Sequence, residues 1–494
     1  MRTLVPAQTL VYLETNNLAA ALQPIVDAKP FKEVAKSKPD FSVLKGVQLA
    51  VAVTGFETSE EKLTDEHSVG RVQPRFVAVA DTHAWNYQAI ASAEKKLGGF
   101  VANIYDSEPT VERSDKHGGK YFIWTAADGR KAYALVIDSL IYFGNDESAI
   151  DKCLAVKRGE ADSIAKAGKV KSASQETLAS GYVSTDGVAQ IANIVGLQFA
   201  SQASEESEVQ SAIAGILPQL IRNSVTDITW TSTKTEQGIE DKYQIGMPSE
   251  IASVFNETMA AAEKPFEISP EIVHGTANSI TVYNLRSPQI AWRSALLVAQ
   301  KHTDTLGGKV LQEFSNLLFE PYGIGNPEVF LSAVSDAVVT VGIEAYGDQP
   351  VVIVKARDRD LIMKTLLPDL KPLVAKSGEP GIETWILDDE DMGTVTLGDL
   401  IYIGNGNAVI RCTTTPGTFS TAPRAQAKAA ITTFGRDTTT TLSIIELLAR
   451  EGHGDTQAVS TYLTETRFTK SGMERKTTSD FGLIGSIIAQ LAQD

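Results

Sequence analysis

The most reactive-looking stretch of this sequence is a contiguous run of acidic residues, Asp388-Asp389-Glu390-Asp391. Carboxylates at alternate positions of a loop, with a glycine to form the turn, would bind a cation such as calcium. Here the acidic residues are contiguous, and Gly393 follows too late to make that turn. We therefore interpret the run as the solvated turn of a β-hairpin rather than as a calcium site.

The sequence motifs of nucleotide-binding proteins and of hydrolases are not present either. Gly118-Gly119-Lys120-Tyr121 is the nearest imitation of a phosphate-binding loop, but it lacks the upstream glycine and the hydroxyl residue that such a loop needs. The H-E-x-x-H pattern of zinc proteases and the G-x-S-x-G pattern of serine hydrolases are also missing from the sequence.

The side chains that usually bind metals or act as nucleophiles are scattered along the chain. The six histidines show no metal-ligand spacing, which favours surface positions: His67, His83, His117, His274, His302 and His453. Cys153 and Cys412 form no C-x-x-C pair, so two buried free thiols are favoured, with a single bridge as the alternative. The sequence therefore predicts no catalytic, cofactor-binding or metal-binding residue, and no cofactor.

Three further patterns have structural interpretations. Asp358 precedes a predicted helix and can cap it. Asn256-Glu257-Thr258 matches the N-glycosylation pattern but falls inside a predicted helix. Five tryptophans could line a sugar groove, although shared positions in the two halves favour core contacts for two of them. The tryptophans are Trp85, Trp124, Trp230, Trp292 and Trp385, and the pair is Trp124 and Trp385.

The composition and net charge of the chain argue against some classes of partner. The 494 residues are 43% hydrophobic and 21% charged, as expected of a chain that buries a full core. The net charge of −16 argues against nucleic acid and against anionic lipid heads as partners. The sequence contains no apolar stretch of about 20 residues, which a membrane-spanning helix would require. Residues 1–8 do not form a leader as they stand, although a mature chain would look the same after its leader had been removed.

The sequence segments that predict strands and turns, which would position any site, occur twice along the chain. The clearest match is L-I-Y-F-G-N at residues 140–145 and L-I-Y-I-G-N at residues 400–405, each typical of a strand entering a turn. Four matched segments follow one another in the same order. They are 47–55 with 337–344, 73–79 with 349–355, 138–145 with 398–405, and 224–240 with 458–474. This order predicts a tandem duplication.

The predicted fold class is α+β, a tandem duplication of a unit with a mixed or antiparallel sheet plus helices, related by a pseudo-twofold axis. The first repeat spans 1–265, with halves of about 1–160 and 161–265, and the second spans 266–494, with halves of about 266–416 and 417–494. The first repeat opens with a strand over 4–14 and a helix over 17–28.

Two details of these repeats are also predicted. Helices are expected over 85–97 in the first repeat and over 360–374 in the second. The first repeat has about 16 more residues between two of its matched segments, and we place them in a longer surface loop between residues 83 and 120.

The opening L-V-P-A-Q-T-L-V-Y at residues 4–12 resembles the start of an uncharacterised bacterial family, domain of unknown function 3352. The I-Y-x-G-N strand and turn, followed by a short helix, resembles that family as well. Gln8 stands where the family usually has aspartate. The resemblance implies an exported protein that carries a leader or a membrane anchor, and it implies no catalytic residues.

Three functional hypotheses remain open. The first is a non-catalytic, extracytoplasmic binding or scaffold protein of the periplasm or cell surface, whose partner is an unknown protein or envelope component. The second is a hydrolase-like enzyme with its site in the cleft between the repeats. The third is a cytoplasmic structural protein.

Overall fold

The structure, a computed structural model, describes the backbone of most of the 494 residues. The ranges outside that description are 63–67, 106, 171–175, 204–215, 217, 265–276, 303–307, 309–310, 312–314, 317, 344–350, 367–370, 374–381, 388–389, 415–427, 438, 450–458 and 494. We refer to residues 1–264 as the first half and to residues 277–494 as the second half. The predicted repeat boundary at 265 lies outside the described residues.

Each half contributes a set of strands. The first half contains β1 (Val11–Thr15), β2 (Gln48–Lys62), β3 (Ser68–Asp81), β4 (Thr110–Lys116), β5 (Gly119–Thr125), β6 (Lys131–Ile137), β7 (Leu140–Gly144), β8 (Thr177–Val183), β9 (Asp227–Thr235) and β10 (Gly238–Gly246). The second half contains β11 (Ala277–Tyr283), β12 (Val334–Ile343), β13 (Val351–Ala356), β14 (Lys371–Leu373), β15 (Ile382–Leu387), β16 (Glu390–Leu397), β17 (Leu400–Asn405), β18 (Ile431–Asp437), β19 (Ser460–Thr469) and β20 (Gly472–Ser479).

Helices lie between these strands. The first half contains α1 (Leu18–Asp27), α2 (Lys29–Val34), α3 (Asn86–Ser92), α4 (Gly98–Ile104), α5 (Glu147–Lys157), α6 (Thr185–Ala203) and α7 (Ser249–Thr258). The second half contains α8 (Pro288–Lys301), α9 (Pro327–Ala333), α10 (Arg359–Lys364), α11 (Gly406–Thr414), α12 (Thr439–Ala449) and α13 (Gly482–Gln493).

All described strands join one large antiparallel sheet. In the first half the spatial order is β4-β5-β6-β7-β3-β2-β1-β8-β9-β10. In the second half it is β14-β15-β16-β17-β13-β12-β11-β18-β19-β20. The two sets meet where β10 pairs with β20 from Ile239–Ser479 to Gly246–Gly472. We call this strand pair, with the helices packed around it, the seam.

Side chains alternate between the two faces of the strands, so each half buries two apolar clusters. On one face, Tyr142 and Cys153 belong to the core of the first half, and Tyr402 and Cys412 belong to that of the second. On the opposite face, Trp124 lies in a cluster beneath α3 and α4, and Phe330 of α9 lies in the corresponding cluster of the second half.

A fifth core lies at the seam and draws on both halves. Ile25 of α1 and Phe31 of α2 are buried with Ile444 of α12 and Phe481, which immediately precedes α13. Ile239 of β10 belongs to the same cluster. The first helices of the chain therefore complete their packing against its last helices.

The seam has a second set of helix contacts, in which α7 packs on β19 and β20 and against α8. The rings of Phe255 on α7 and Phe468 on β19 meet edge to face, with 6.0 Å between their centroids. The Thr258 and Ser294 hydroxyl oxygens, on α7 and α8, lie 2.7 Å apart within hydrogen-bond distance. The helix that closes each half thus packs on the central strand of the other half.

Side-chain caps explain where several helices begin. The backbone N–H of Leu361 donates to Asp358 Oδ1 at 3.0 Å, which confirms the predicted cap of α10. Asn17 Oδ1 accepts from the N–H of Ala20 at the start of α1. Asp437 accepts hydrogen bonds from the backbone N–H groups of Thr439 and Thr440 before α12. These caps satisfy N–H groups that the first turn of a helix leaves without partners.

Three predicted extents are wrong. The opening strand is only Val11–Thr15, because Pro6 forms an isolated bridge with Ser163 upstream of it. The helix predicted over 360–374 ends at Lys364, and 371–373 form β14 instead. The additional residues between 83 and 120 do not form a surface loop, since they include α3, α4 and strand β4.

The prediction of two free thiols is confirmed, and the alternative of a bridge between them is wrong. Neither Cys153 nor Cys412 forms a disulfide, and both are buried in the separate apolar cores of the two halves. Burial raises the pKa of the Cys153 thiol to about 12.

We expect Phe481→Ala to destabilise the whole protein by about 3–5 kcal/mol, because it opens a cavity in the core shared by both halves. Urea unfolding followed by circular dichroism measures this change. Ile487→Ala on the same helix is the matched control, since Ile487 is partly exposed and its loss should cost far less. Equal effects of the two substitutions would contradict the shared core.

Both thiols should resist an aromatic disulfide reagent at pH 8 in the folded protein. Burial blocks access to both cysteines, and the raised pKa of Cys153 keeps that thiol protonated. Two equivalents should react after unfolding in urea. Rapid modification of either thiol in the native protein would show that its core is open.

Candidate binding surface at the seam

One row of paired residues crosses fourteen of the twenty described strands and changes from apolar to polar towards the seam. Each residue of the row lies beside the next on neighbouring strands and shares a face with it: Tyr142, Val79, Ala50, Glu14, Ser180, Thr231, Lys242, Lys476, Glu465, Thr432, Val282, Val339, Ile353 and Tyr402. The two ends of the row belong to the apolar cores, whereas its middle is polar.

The middle of the row faces solvent. Thr231 and Lys242 are exposed, and the neighbouring Gln244 and Glu474 on the same face are exposed as well. We call these four residues, with Glu240 and Lys476, the central face. It lies between two apolar clusters, whereas the opposite side of the same strands is covered by helices of the seam.

Ion pairs connect the two halves across this face. Lys476 Nζ on β20 lies 3.5 Å from Glu240 Oε2 on β10 and 3.2 Å from Glu465 Oε2 on β19. Lys242 Nζ lies 2.9 Å from Glu240 Oε1. Burial raises the pKa of Glu240, but the two lysines outweigh it, so the pKa of this carboxyl is held below its usual range.

Another buried carboxylate lies at the margin of the central face. Glu14 accepts a hydrogen bond from the Tyr12 hydroxyl at 2.8 Å and another from the Ser180 hydroxyl at 3.3 Å. Arg2 Nη2 lies 3.0 Å from Glu14 Oε1 and neutralises it. Burial and the nearby Glu14 carboxylate strongly raise the pKa of the Tyr12 phenol.

On the helix-covered side of the seam, Asp241 of the first half binds the start of α13 in the second. Asp241 Oδ2 accepts from the backbone N–H of Leu483 at 2.8 Å, and Oδ1 accepts from Trp230 Nε1 at 2.9 Å. The carboxylate thus satisfies an N–H group at the positive end of a helix dipole. Burial raises the pKa of Asp241 in spite of these hydrogen bonds.

Neither Glu240 nor Asp241 combines a raised pKa with access to solvent. A general acid at neutral pH needs a carboxyl whose pKa is raised towards 7 and which can reach a substrate. Glu240 lies on the solvent-facing side of the sheet with its side chain 17% exposed, but its pKa is lowered. Asp241 has a raised pKa, but it is buried beneath α13 with both oxygens engaged.

A separate open cleft of about 470 Å³ lies beside α1, away from the central face. Lys38, Asp40 and Lys45 are among its lining residues. Two of these charges already have local partners, since Lys38 pairs with Asp27 at 2.7 Å and Asp40 accepts from Ser42. The cleft therefore shows no converging set of polar groups.

Histidines that the structure describes lie apart from one another. The Nδ1 atom of His83 is 3.4 Å from Asp81, and Nε2 of His117 is 3.3 Å from Asp151. His302 lies at the end of α8, where its carbonyl accepts from Asn223. His67, His274 and His453 lie outside the described residues. Among described residues, no three histidine, cysteine or acidic side chains come together to hold a metal ion.

The tryptophans do not assemble into a sugar groove in the described part of the chain. Trp124 and Trp230 are buried, so the core interpretation of Trp124 is confirmed. Trp292 packs against Phe319 with 5.1 Å between ring centroids. Trp85 is 75% exposed at the start of α3. The side chain of Trp385 lies outside the description.

The remaining sequence patterns occupy structural positions. His117 and Gly118 form the tight turn between β4 and β5, with positive φ angles of 52° and 78°. Leu387 pairs with Glu390, which agrees with a hairpin at the acidic run, although Asp388 and Asp389 lie outside the described residues. Thr258 of the glycosylation pattern donates to the carbonyl of Val254 within α7.

Sequence reasoning missed the buried carboxylates Glu14, Asp241 and Glu465. Glu14 lies near the end of a five-residue strand, and Asp241 and Glu465 lie among other polar residues, a pattern typical of solvent exposure. A usable signal existed for two of them, because Glu14 shares a strand face with Tyr12, and Asp241 shares one with Ile239 and Tyr243. An acidic residue on an apolar face indicates a buried hydrogen-bonding role.

Comparisons with known proteins add little to these observations. No protein-family model matches the chain, and no curated protein matches it. Among solved structures, two crystal forms of TP0453 are similar at 9% and 10% identity, covering 53% of this chain and 88% and 89% of that one. The TM-score is 0.24 in both cases, and a likeness at that level supports no conclusion here. None of the described helices has the length and apolar content needed to cross a bilayer.

Asp241→Leu should destabilise the protein by about 2–4 kcal/mol, because it leaves the Leu483 N–H and the Trp230 indole N–H buried without an acceptor. Urea unfolding measures the change. Glu236→Leu is the control, since this exposed carboxylate in the turn between β9 and β10 should contribute within about 0.5 kcal/mol. A neutral result for Asp241→Leu would show that the carboxylate does not anchor α13.

Lys476→Met should cost about 1–3 kcal/mol at neutral pH, because it removes a cation from Glu240 and from the buried Glu465. The folded-state pKa of Glu240 lies below its unfolded value, so this stabilisation exists above about pH 4.3 and is lost as pH falls through the lower folded-state pKa.

The difference in stability between wild type and Lys476→Met should therefore shrink in acid, as measured by urea unfolding across a pH series. Lys234→Met, which removes an exposed lysine of β9, is the control and should show no such pH dependence. A pH-independent cost of Lys476→Met would exclude ionic pairing as its cause.

Proposed function

We propose that this chain is a non-catalytic binding or scaffold protein whose partner docks on the central face. The observation that carries the proposal is a polar, solvent-facing strip between two apolar cores, built from strands of both halves. Hydrogen-bonding groups and exposed charges on a rigid sheet suit recognition of another macromolecule.

We further infer that the chain is a tandem duplication with a pseudo-twofold axis at the seam. The order of strand pairing supports this proposal, since β1 lies between β2 and β8 as β11 lies between β12 and β18. The buried cysteines on α5 and α11 and the reciprocal packing of α7 and α13 are consistent with it.

The proposed location is outside the cytoplasm, at the bacterial cell envelope, as a member of domain of unknown function 3352. The opening motif at residues 4–12 and the I-Y-x-G-N turn support this assignment by resemblance. Fractionation of native cells with an antibody tests it, and recovery of the protein only with cytoplasmic markers would contradict it.

Site-specific photocrosslinking in native cells tests the docking surface. A photoreactive amino acid at Thr231, Lys242 or Gln244 should give a discrete crosslinked species. Glu112 on the edge strand β4 is an exposed control position at the far end of the sheet and should give none. Failure of every central-face position to crosslink, or equal crosslinking at Glu112, would contradict the proposed surface.

The hypothesis of an enzyme in the cleft between the halves gains no support from the seam. Its helix side is filled by the core around Ile239 and Phe481, and the Glu240 carboxylate on its open side is paired with two lysines.

A further inference from the structure

We propose that the seam is a self-sufficient interface, so that the two halves remain one folded particle when the chain between them is cut. Each half is then the specific binding partner of the other, as the two subunits of a permanent dimer are. This inference does not depend on what binds the central face.

The strand part of the seam is extensive. Strands β10 and β20 pair over eight residue positions in continuous antiparallel register, from Ile239–Ser479 to Gly246–Gly472. Each of these strands also pairs with its own half, β10 with β9 and β20 with β19. The junction is therefore an internal ladder of the sheet, not a contact between two free edges.

Helices of the first half pack on the second half on the helix-covered side of the sheet. Phe255 of α7 contacts Phe468 of β19, and Glu250 of α7 pairs with Lys301 of α8 at 2.9 Å. Asn223 donates a hydrogen bond to the carbonyl of His302 at 3.0 Å. These contacts join residues of the two halves without passing through the connecting segment.

Helices of the second half pack on the first half on the same, helix-covered side of the sheet. Phe481 and Ile444 complete the apolar core around Ile25 and Phe31, and Asp241 anchors the first turn of α13. Apolar burial dominates the stability of permanent interfaces, which resemble a protein core divided in two. The seam has this composition.

The covalent connection adds one crossing of the chain, between Lys264 and Ala277. Near that crossing, Ala261 pairs with Leu285 in an isolated bridge, and the N–H of Arg286 donates to the carbonyl of Ala260. Cutting the connection removes its contribution to the effective concentration of the two halves but breaks none of the contacts above.

The experiment inserts a protease recognition sequence between Lys264 and Ala277 of the full chain and cleaves the purified, folded protein. We expect the cleaved protein to elute from a sizing column as one particle down to about 100 nM, with unchanged tryptophan fluorescence. Two separately eluting fragments, an altered tryptophan spectrum or aggregation after cleavage would each overturn the proposal.

A substitution in the shared core tests whether specific contacts of the seam, rather than nonspecific association of the fragments, hold the cleaved protein together. In the cleaved protein, Phe481→Ala should weaken association at least tenfold, so that fragments separate on dilution. Cleaved Ile487→Ala should remain associated, because that side chain is partly exposed. If Phe481→Ala and wild type dissociate alike, the shared core is not what holds the halves together.

Discussion

The antiparallel pairing of β10 with β20 is the constraint on which the architecture depends. It places strands from distant parts of the sequence at the centre of one sheet, and it brings the ends of the chain together around Ile25 and Phe481. Because the closing helix of each half packs on the other half, the seam fixes the relative position of the two lobes. Hinge motions need a few flexible connections, whereas here the lobes are joined by a continuous ladder and by buried helices.

The same pairing explains why the middle of the sheet is polar on one face. An apolar strip there would merge the two cores and leave an exposed hydrophobic surface where no described helix covers it. Thr231, Lys242 and Gln244 avoid that exposure, and the ion pairs of Lys476 allow Glu465 to be buried. The polar strip is thus compatible with both folding and recognition.

Local parts of this fold could be predicted from the sequence, and long-range parts could not. Short-range patterns located the strand and turn at Leu140–Gly144 and the cap Asp358, because these depend on neighbouring residues. The extents of helices failed where prolines and distant packing intervened, as at Lys364. The central face was not predictable, because the contact of Lys476 with Glu240 depends on a register between strands more than 200 residues apart.

The packing of α1 and α2 against helices of the second half also affects the order in which this protein can fold during synthesis. A ribosome releases α1 and α2 long before α12, yet side chains that bury Ile25 and Phe31 belong to α12 and to Phe481, more than 400 residues later in the chain. The apolar face of α1 and α2 therefore has no partner in the nascent chain until α12 has been synthesised. Such exposure favours chaperone binding, and a ribosome that stalls before α12 would release a chain whose earliest helices have no partner.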